Sequence, residues 1–141
     1  MIKDYFGIEK LTETKDLQVL ADGKGIFWND QNATNVFCHN GDAMHFFGLM
    51  WFTPNISRAN HFHKKFTEII CVVKGEVRVK MVLVENKNEV AEVILKQGEK
   101  LSIKPNCAHS FISTDEAIVL EFSPQNLEIS DLYDFEYAWW N

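Results

Sequence analysis

The stretch SRANHFHKKFTEIICVVKG, residues 57–75, decides how this chain is read. His61 and His63 stand two residues apart, so on a strand both imidazoles leave the same face of the sheet. Glu68 lies inside the next apolar run, Phe66 to Val73, and alternation places its carboxyl on the side of Phe66 and Ile70. An inward carboxylate is costly unless it is paired. Downstream, His109 follows the turn Pro105-Asn106 and opens a run through Phe111 and Ile112. Three imidazoles and one carboxylate, brought together, make a nitrogen and oxygen site suited to a divalent transition metal. The same residue types also move protons near neutral pH.

Around this stretch the chain reads as short apolar runs divided by turn signals, with no long helical periodicity. Leu17 to Leu20, Ile26 to Trp28 and Val36 to Cys38 come first, and Asn40-Gly41 turns the chain into the aromatic-rich Met44 to Thr53. Glu76 to Val84 alternates best: Val77, Val79, Met81 and Leu83 face one way, Glu76, Arg78 and Lys80 the other. A turn at Glu85 to Asn88 leads to Val90 to Leu95, which predicts a hairpin. Leu101 and Ile103, Ala108 to Ser113, and Ala117 to Phe122 complete the series. Many short strands at this spacing predict an all-β sandwich or barrel, whose closure would remove exposed edges. The expected architecture is one domain over residues 1–141, a double-stranded barrel at about 44–123 with an N-terminal extension and an aromatic tail.

That tail interleaves Leu132, Tyr133, Phe135, Tyr137, Trp139 and Trp140 with Asp131, Asp134 and Glu136. Its spacing fits a strand or a helical stripe equally, and so much aromatic surface should cover the barrel or pack on a second subunit.

Bulk properties exclude several roles. With 141 residues the chain can bury a core without disulfides or metal staples. A net charge of −6 argues against nucleic acid and anionic membrane surfaces as partners. It leaves room for a phosphorylated small molecule, because Arg58, Lys64 and Lys65 could form a local basic patch. The charged start, Met1 to Lys10, has no signal-peptide core, and Phe46 to Phe52 is too short to span a bilayer. Cys38, Cys71 and Cys107 are odd in number and lack CxxC spacing; a reduced, buried Cys71 and a soluble cytoplasmic protein are expected.

At these residues the chain resembles the cupin superfamily of jelly-roll barrels. His61-Phe62-His63, Glu68 and Gly75 fit its first motif. Gly98, Pro105 and His109 fit its second, although Cys107 replaces the usual glycine and the spacing from proline to histidine is one residue short. The resemblance covers roughly residues 44–123. It implies that His61, His63, Glu68 and His109 ligate a divalent transition metal (Mn, Fe, Ni, Co or Zn) in the barrel mouth. It also favours a homodimer.

A narrower resemblance joins the string from Ser57 to Lys64 to cupins that isomerise or epimerise deoxy-sugar nucleotides for surface polysaccharides. It implies His61 and His63 as a proton-transfer pair and Arg58 as the contact to a nucleotide diphosphate. Those enzymes often lack the carboxylate, which is present here as Glu68. The expected function is therefore an isomerase or epimerase acting on a sugar or nucleotide-sugar beside a carbonyl. The alternatives are a metal-dependent dioxygenase or other small-molecule metalloenzyme, and a non-catalytic ligand-binding barrel.

Overall fold

Alternating side chains become two facing antiparallel sheets in the computed structural model, which describes residues 1–140. The first sheet runs, in spatial order, β1 (Phe6–Lys10), β10 (Glu99–Ile103), β7 (Glu68–Lys74), β12 (Ala117–Ser123) and β5 (Phe46–Phe52). The second runs β13 (Tyr133–Asp134), β6 (Arg58–Phe62), β11 (Cys107–Ile112), β8 (Glu76–Leu83) and β9 (Asn86–Lys96). This is the double-stranded jelly roll expected from the sequence. A third, small sheet of β2 (Thr12–Glu13), β3 (Ile26–Asn29) and β4 (Thr34–Phe37) lies between β1 and β5 in the chain.

Register decides which side chains meet. In the first sheet Glu121 of β12 lies opposite Ile70 of β7 and Gly48 of β5, and Glu68 lies opposite Ile103 of β10. Because side chains alternate along a strand, Glu68, Ile70, Val72, Val119, Glu121 and Met50 share the inner face. In the second sheet His109 lies opposite His61 on one side and Met81 on the other. Val77, Val79 and Met81 point inward with them and are fully buried. Burying an aliphatic side chain of this kind contributes about 1.5–3 kcal/mol, so the interleaved core sets the separation of the sheets.

Gly75 makes the turn between β7 and β8. Its φ of +80° favours glycine, and an added Cβ would lie 2.8 Å from the Glu116 carbonyl oxygen. The motif glycine is thus required by backbone geometry rather than by chemistry.

The structure departs from the sequence expectations in three places. Leu17–Ala21 is a single helical turn, α1, capped by the Asp16 side chain. Phe6–Lys10 is a strand that the charged N-terminal composition concealed, and it pairs with β10. The hairpin turn is tighter than Glu85–Asn88, because β9 already starts at Asn86 and a bulge near Leu83 absorbs the polar residues. At the edge of the first sheet, β5 has a strand partner on one side only among the described residues.

The aromatic tail is neither a long strand nor a helix. After a 3-10 turn at Ile129–Asp131, only Tyr133–Asp134 pairs, with Phe62 and His61 of β6. Phe135 and Trp139 then bury themselves on the outer face of the second sheet, against Phe62, Val82 and Ala108. The tail therefore covers its own barrel. Its anchor is Asp131, whose carboxylate accepts hydrogen bonds from the backbone N–H groups of Lys64, Lys65 and Phe66 at 2.8, 3.1 and 3.1 Å. Burial opposes charge on Asp131, but these three donors hold its carboxyl below the ordinary value of 3.8.

Asp131→Ala leaves three amides without their acceptor, so chemical denaturation is expected to show a loss of about 2–3 kcal/mol. A depressed carboxyl stabilises the fold above its unfolded value and ceases to do so as pH falls through the folded value. The difference between wild type and variant should accordingly shrink in strongly acid solution; a constant difference down to pH 2 would show that the carboxylate is not the anchor.

Candidate functional site

His61, His63, Glu68 and His109 come together at one mouth of the barrel, and one potential ligand atom from each lies within 4.8 Å of all the others. Glu68 comes from the first sheet, His61 and His109 from the second, and His63 from the segment just after β6. Neighbouring ring centroids are 4.7 Å apart for His61 and His63 and 5.0 Å for His61 and His109. His63, Glu68 and His109 are buried, whereas His61 is half-buried and faces the opening.

Backbone acceptors orient two of the rings. His63 Nδ1 lies 2.9 Å from the Asp131 carbonyl oxygen, and His109 Nδ1 lies 3.0 Å from that of Cys107. A carbonyl accepts only, so the tautomer that satisfies each contact carries its proton on Nδ1 and turns an Nε2 lone pair inward. Both inward nitrogens confront the same carboxylate oxygen, Glu68 Oε2, at 3.5 Å from His63 and 2.7 Å from His109. The close approach of His109 Nε2 and Glu68 Oε2 lacks hydrogen-bond geometry, and both atoms are buried without a hydrogen-bond partner. Lone pairs converging from three directions call for positive charge among them, and the four side chains are a group that could hold a metal ion.

Electrostatics reflect the same demand. Burial alone would raise the Glu68 carboxyl, but His109, His63 and His61 hold it far below its ordinary value. Burial lowers His63, yet its contacts with Glu68 and Asp131 outweigh that and raise it above 6.5. The raised value favours the protonated form of His63 beside Glu68. His61 behaves differently: burial, reinforced by the neighbouring His109, pushes it down to about 4, so it is neutral at pH 7.

A local backbone distortion aims His61. Ala59 and Asn60 have φ values of 71° and 58°, and the pairing of β6 with β11 shifts register between His109 and Ser110. Non-glycine residues in the left-handed region cost about 1–3 kcal/mol each and persist only where neighbours hold them. Here Ser110 Oγ–H faces the Asn60 side-chain oxygen at 2.5 Å and the Arg58 carbonyl at 3.3 Å, and Ser110 Oγ accepts from Trp140 Nε1–H at 2.7 Å. The tail thereby supports the bulge behind the site.

The mouth opens into a cleft of about 180 Å³ lined by His61, His63 and Glu68 together with Arg58, Glu121 and Phe46. Arg58 is exposed at the rim. Lys64 and Lys65 do not join it: the Lys64 ammonium sits 4.4 Å from the Tyr133 ring, and Lys65 pairs with Glu128. His39 and His45 lie outside the cluster. Cys107 is an inert buried thiol, raised to about 12 by burial.

Two contributors escaped the sequence reading. Glu121 is half-buried in the cleft, and burial together with the nearby Glu68 charge raises its carboxyl to about 8. Its signal was available: it shares strand parity with the apolar Val119 and Ala117. Asp131 carried no signal, because an acidic residue in a polar loop is ordinary and its partners lie more than sixty residues away.

Comparisons with known proteins fit this architecture. The chain resembles a 3,4-ketoisomerase from Helicobacter canadensis, with a TM-score of 0.67 at 14% identity over 90% of this chain and 88% of that one. The 3,4-ketoisomerase QdtA from Thermoanaerobacterium thermosaccharolyticum, solved as a variant with TDP-4-keto-6-deoxyglucose, gives 0.66 at 13% identity over 91% and 86%. The dTDP-6-deoxy-D-glucose-3,5-epimerase RmlC from Legionella pneumophila gives 0.69 at 13% identity over 94% and 79%. At such identities the likeness is one of fold. No curated protein sequence matches significantly. The cupin family model matches residues 30–136, which carry all four clustered side chains and the strands that position them, and the chain belongs to the cupin family.

Proposed function

We propose that this cupin holds a divalent transition metal through His61, His63, Glu68 and His109 and acts as an isomerase or epimerase on a sugar or nucleotide-sugar. The observation that carries the metal reading is the orphaned pair of buried atoms, Glu68 Oε2 and His109 Nε2, facing each other 2.7 Å apart. Neutral imidazoles and a carboxylate suit Mn, Fe, Ni, Co or Zn. When bound, such an ion supplies Lewis-acid polarisation of a carbonyl or hydroxyl. Arg58 at the rim would take the diphosphate through charge-assisted hydrogen bonds. The substrate class rests on the string from Ser57 to Lys64 and on fold neighbours that were solved with, or named for, TDP-sugars. A cytoplasmic homodimer completes the proposal; the three cysteines, all free and buried, agree with a reducing compartment.

A second reading of the same residues has its own support. An imidazole nitrogen that holds an ion cannot also accept a proton, so metal ligation and a proton-transfer role for His61 and His63 exclude each other at that atom. His61 is neutral at pH 7 and borders the open cleft beside Arg58, which suits a base that removes a proton alpha to a keto group. His63, raised above 6.5 beside Glu68, would return it.

Elemental analysis of the purified protein is expected to find one transition ion per chain. Glu68→Gln should weaken its binding by more than about 100-fold in calorimetry, because the charge is lost at nearly constant volume. Equal affinity in the variant would remove the metal site.

Incubation with nucleoside-diphosphate 4-keto sugars in deuterated water should place deuterium beside the carbonyl. Arg58→Ala should weaken nucleotide binding by roughly 10- to 100-fold, the worth of a charged hydrogen bond. Exchange that stops on chelation supports the metal route; exchange that survives chelation but is abolished by His61→Asn supports the imidazole route. Dioxygen uptake without exchange would favour an oxygenase, and binding without either would favour a non-catalytic barrel.

A further inference from the structure

We infer that Glu121 and Gly48 form a subsite for a sugar hydroxyl on the wall of the cleft opposite Arg58, and that this pair decides which sugars the site accepts. The inference rests on the nucleotide-sugar reading of the same cleft. It adds a hydrogen-bond acceptor and the space in front of it. Glu121 belongs to β12 of the first sheet and Arg58 to β6 of the second, and both line the cleft with His61.

Residue type is the first sign. Along β12 the inner face reads Ala117, Val119, Glu121, and the first two are fully buried. An aliphatic side chain would continue that row, whereas a carboxyl there loses water without gaining packing. The polar groups that face it are Glu68, His109 and Arg58, and among the described residues none forms a salt bridge with it. Its hydrogen-bonding capacity is turned toward the cleft.

The second sign is independent of charge. Gly48 lies directly opposite Glu121 on β5, between Phe46 and Met50, which both line the cleft. Its backbone does not call for glycine, because its φ lies outside the left-handed region. Packing does not call for it either: an added Cβ would meet only the Phe46 ring, at 3.9 Å. Glycine inside a strand weakens it and marks places where a ligand approaches closely. Here the missing side chain leaves room beside the carboxyl at a half-buried position.

A carboxyl accepts a hydrogen bond from a hydroxyl whether it is ionised or protonated, so the subsite does not depend on its charge. Arg58 attracts phosphate and an ionised carboxyl repels it, which orients a nucleotide-sugar with its diphosphate at the rim and its sugar between His61 and Glu121. A site built to bond a hydroxyl rejects the analogue that lacks it, since the acceptor is then left unpaired.

Calorimetry on the full chain compares TDP with TDP-glucose and, in parallel, UDP with UDP-glucose; these sugars keep the ring hydroxyls and carry no reactive carbonyl. The readout is the ratio of nucleotide-sugar to nucleotide affinity. Glu121→Leu is expected to lower nucleotide-sugar affinity about 10-fold or more, the worth of one hydrogen bond to a carboxyl, and to leave nucleotide affinity unchanged. Glu121→Gln, whose amide oxygen still accepts, should restore most of it. Gly48→Val removes the room, leaves the charge and favours the strand, and it should reproduce the loss. Unchanged nucleotide-sugar affinity in either folded variant, or an equal loss for nucleotide alone, overturns the inference. Should Glu121→Leu misfold, Gly48→Val decides. A wild type that binds none of the four probes overturns the nucleotide-sugar reading and the inference with it, so the two failures are told apart. Metal affinity of both variants is expected to match wild type; a loss as large as that of Glu68→Gln would place Glu121 in the ligand cluster and overturn the subsite.

Discussion

A carboxylate stripped of water is the constraint on which the rest of the site depends. Glu68 sits on the inner face of β7, among Ile70, Val72 and Ile103, where ionisation without a counter-charge would be prohibitive. The fold answers with three imidazoles, and two of these are turned by backbone carbonyls so that their lone pairs also point inward. The pocket consequently needs positive charge, whether from a proton on His63 or from an ion. Geometry that fits a metal and electrostatics that favour a protonated histidine are two expressions of one requirement.

Support for that arrangement comes from the end of the chain. Asp131 binds the backbone of Lys64 to Phe66 and offers its own carbonyl to His63, while Trp140 bonds Ser110 behind the distorted segment at Ala59 and Asn60. A region that reads as loose aromatic surface is thus the outer brace of the mouth. Placing a buried carboxylate within coordination reach of three rings calls for such bracing, because imidazoles left free to rotate would meet the carboxylate with N–H rather than lone pairs. Of the four clustered side chains His61 is the half-exposed one, and with His63 and Glu68 it lines the cleft.

Much of the barrel was legible because its strands obey a period of two. Val77, Val79, Met81 and Leu83 announce an inner face, and the register found between β8 and β11 agrees with it. Phe6–Lys10 was not legible, since an edge strand half in water needs no apolar alternation. The open edge at β5 was hidden for a different reason: an alternating run of large residues on both faces reads as an ordinary buried strand. That Phe47, Leu49 and Trp51 stay exposed follows only from the tertiary arrangement, which leaves that face of β5 uncovered among the described residues.

The chemistry of the site was written in residue type and spacing: an i, i+2 pair of histidines leaves one face of any strand, and a carboxylate with apolar parity must turn inward. Local sequence rules reach that far because they depend on backbone geometry a few residues long. Everything set by non-local pairing lay beyond them. The meeting of His109 with His61 across a bulge, the entry of Glu121 into the cleft, the hold of Asp131 on a segment some sixty-five residues earlier, and the folding of the aromatic tail onto its own barrel all depend on strand order. Strand order is selected by how the whole core packs, and no short stretch of chain encodes it.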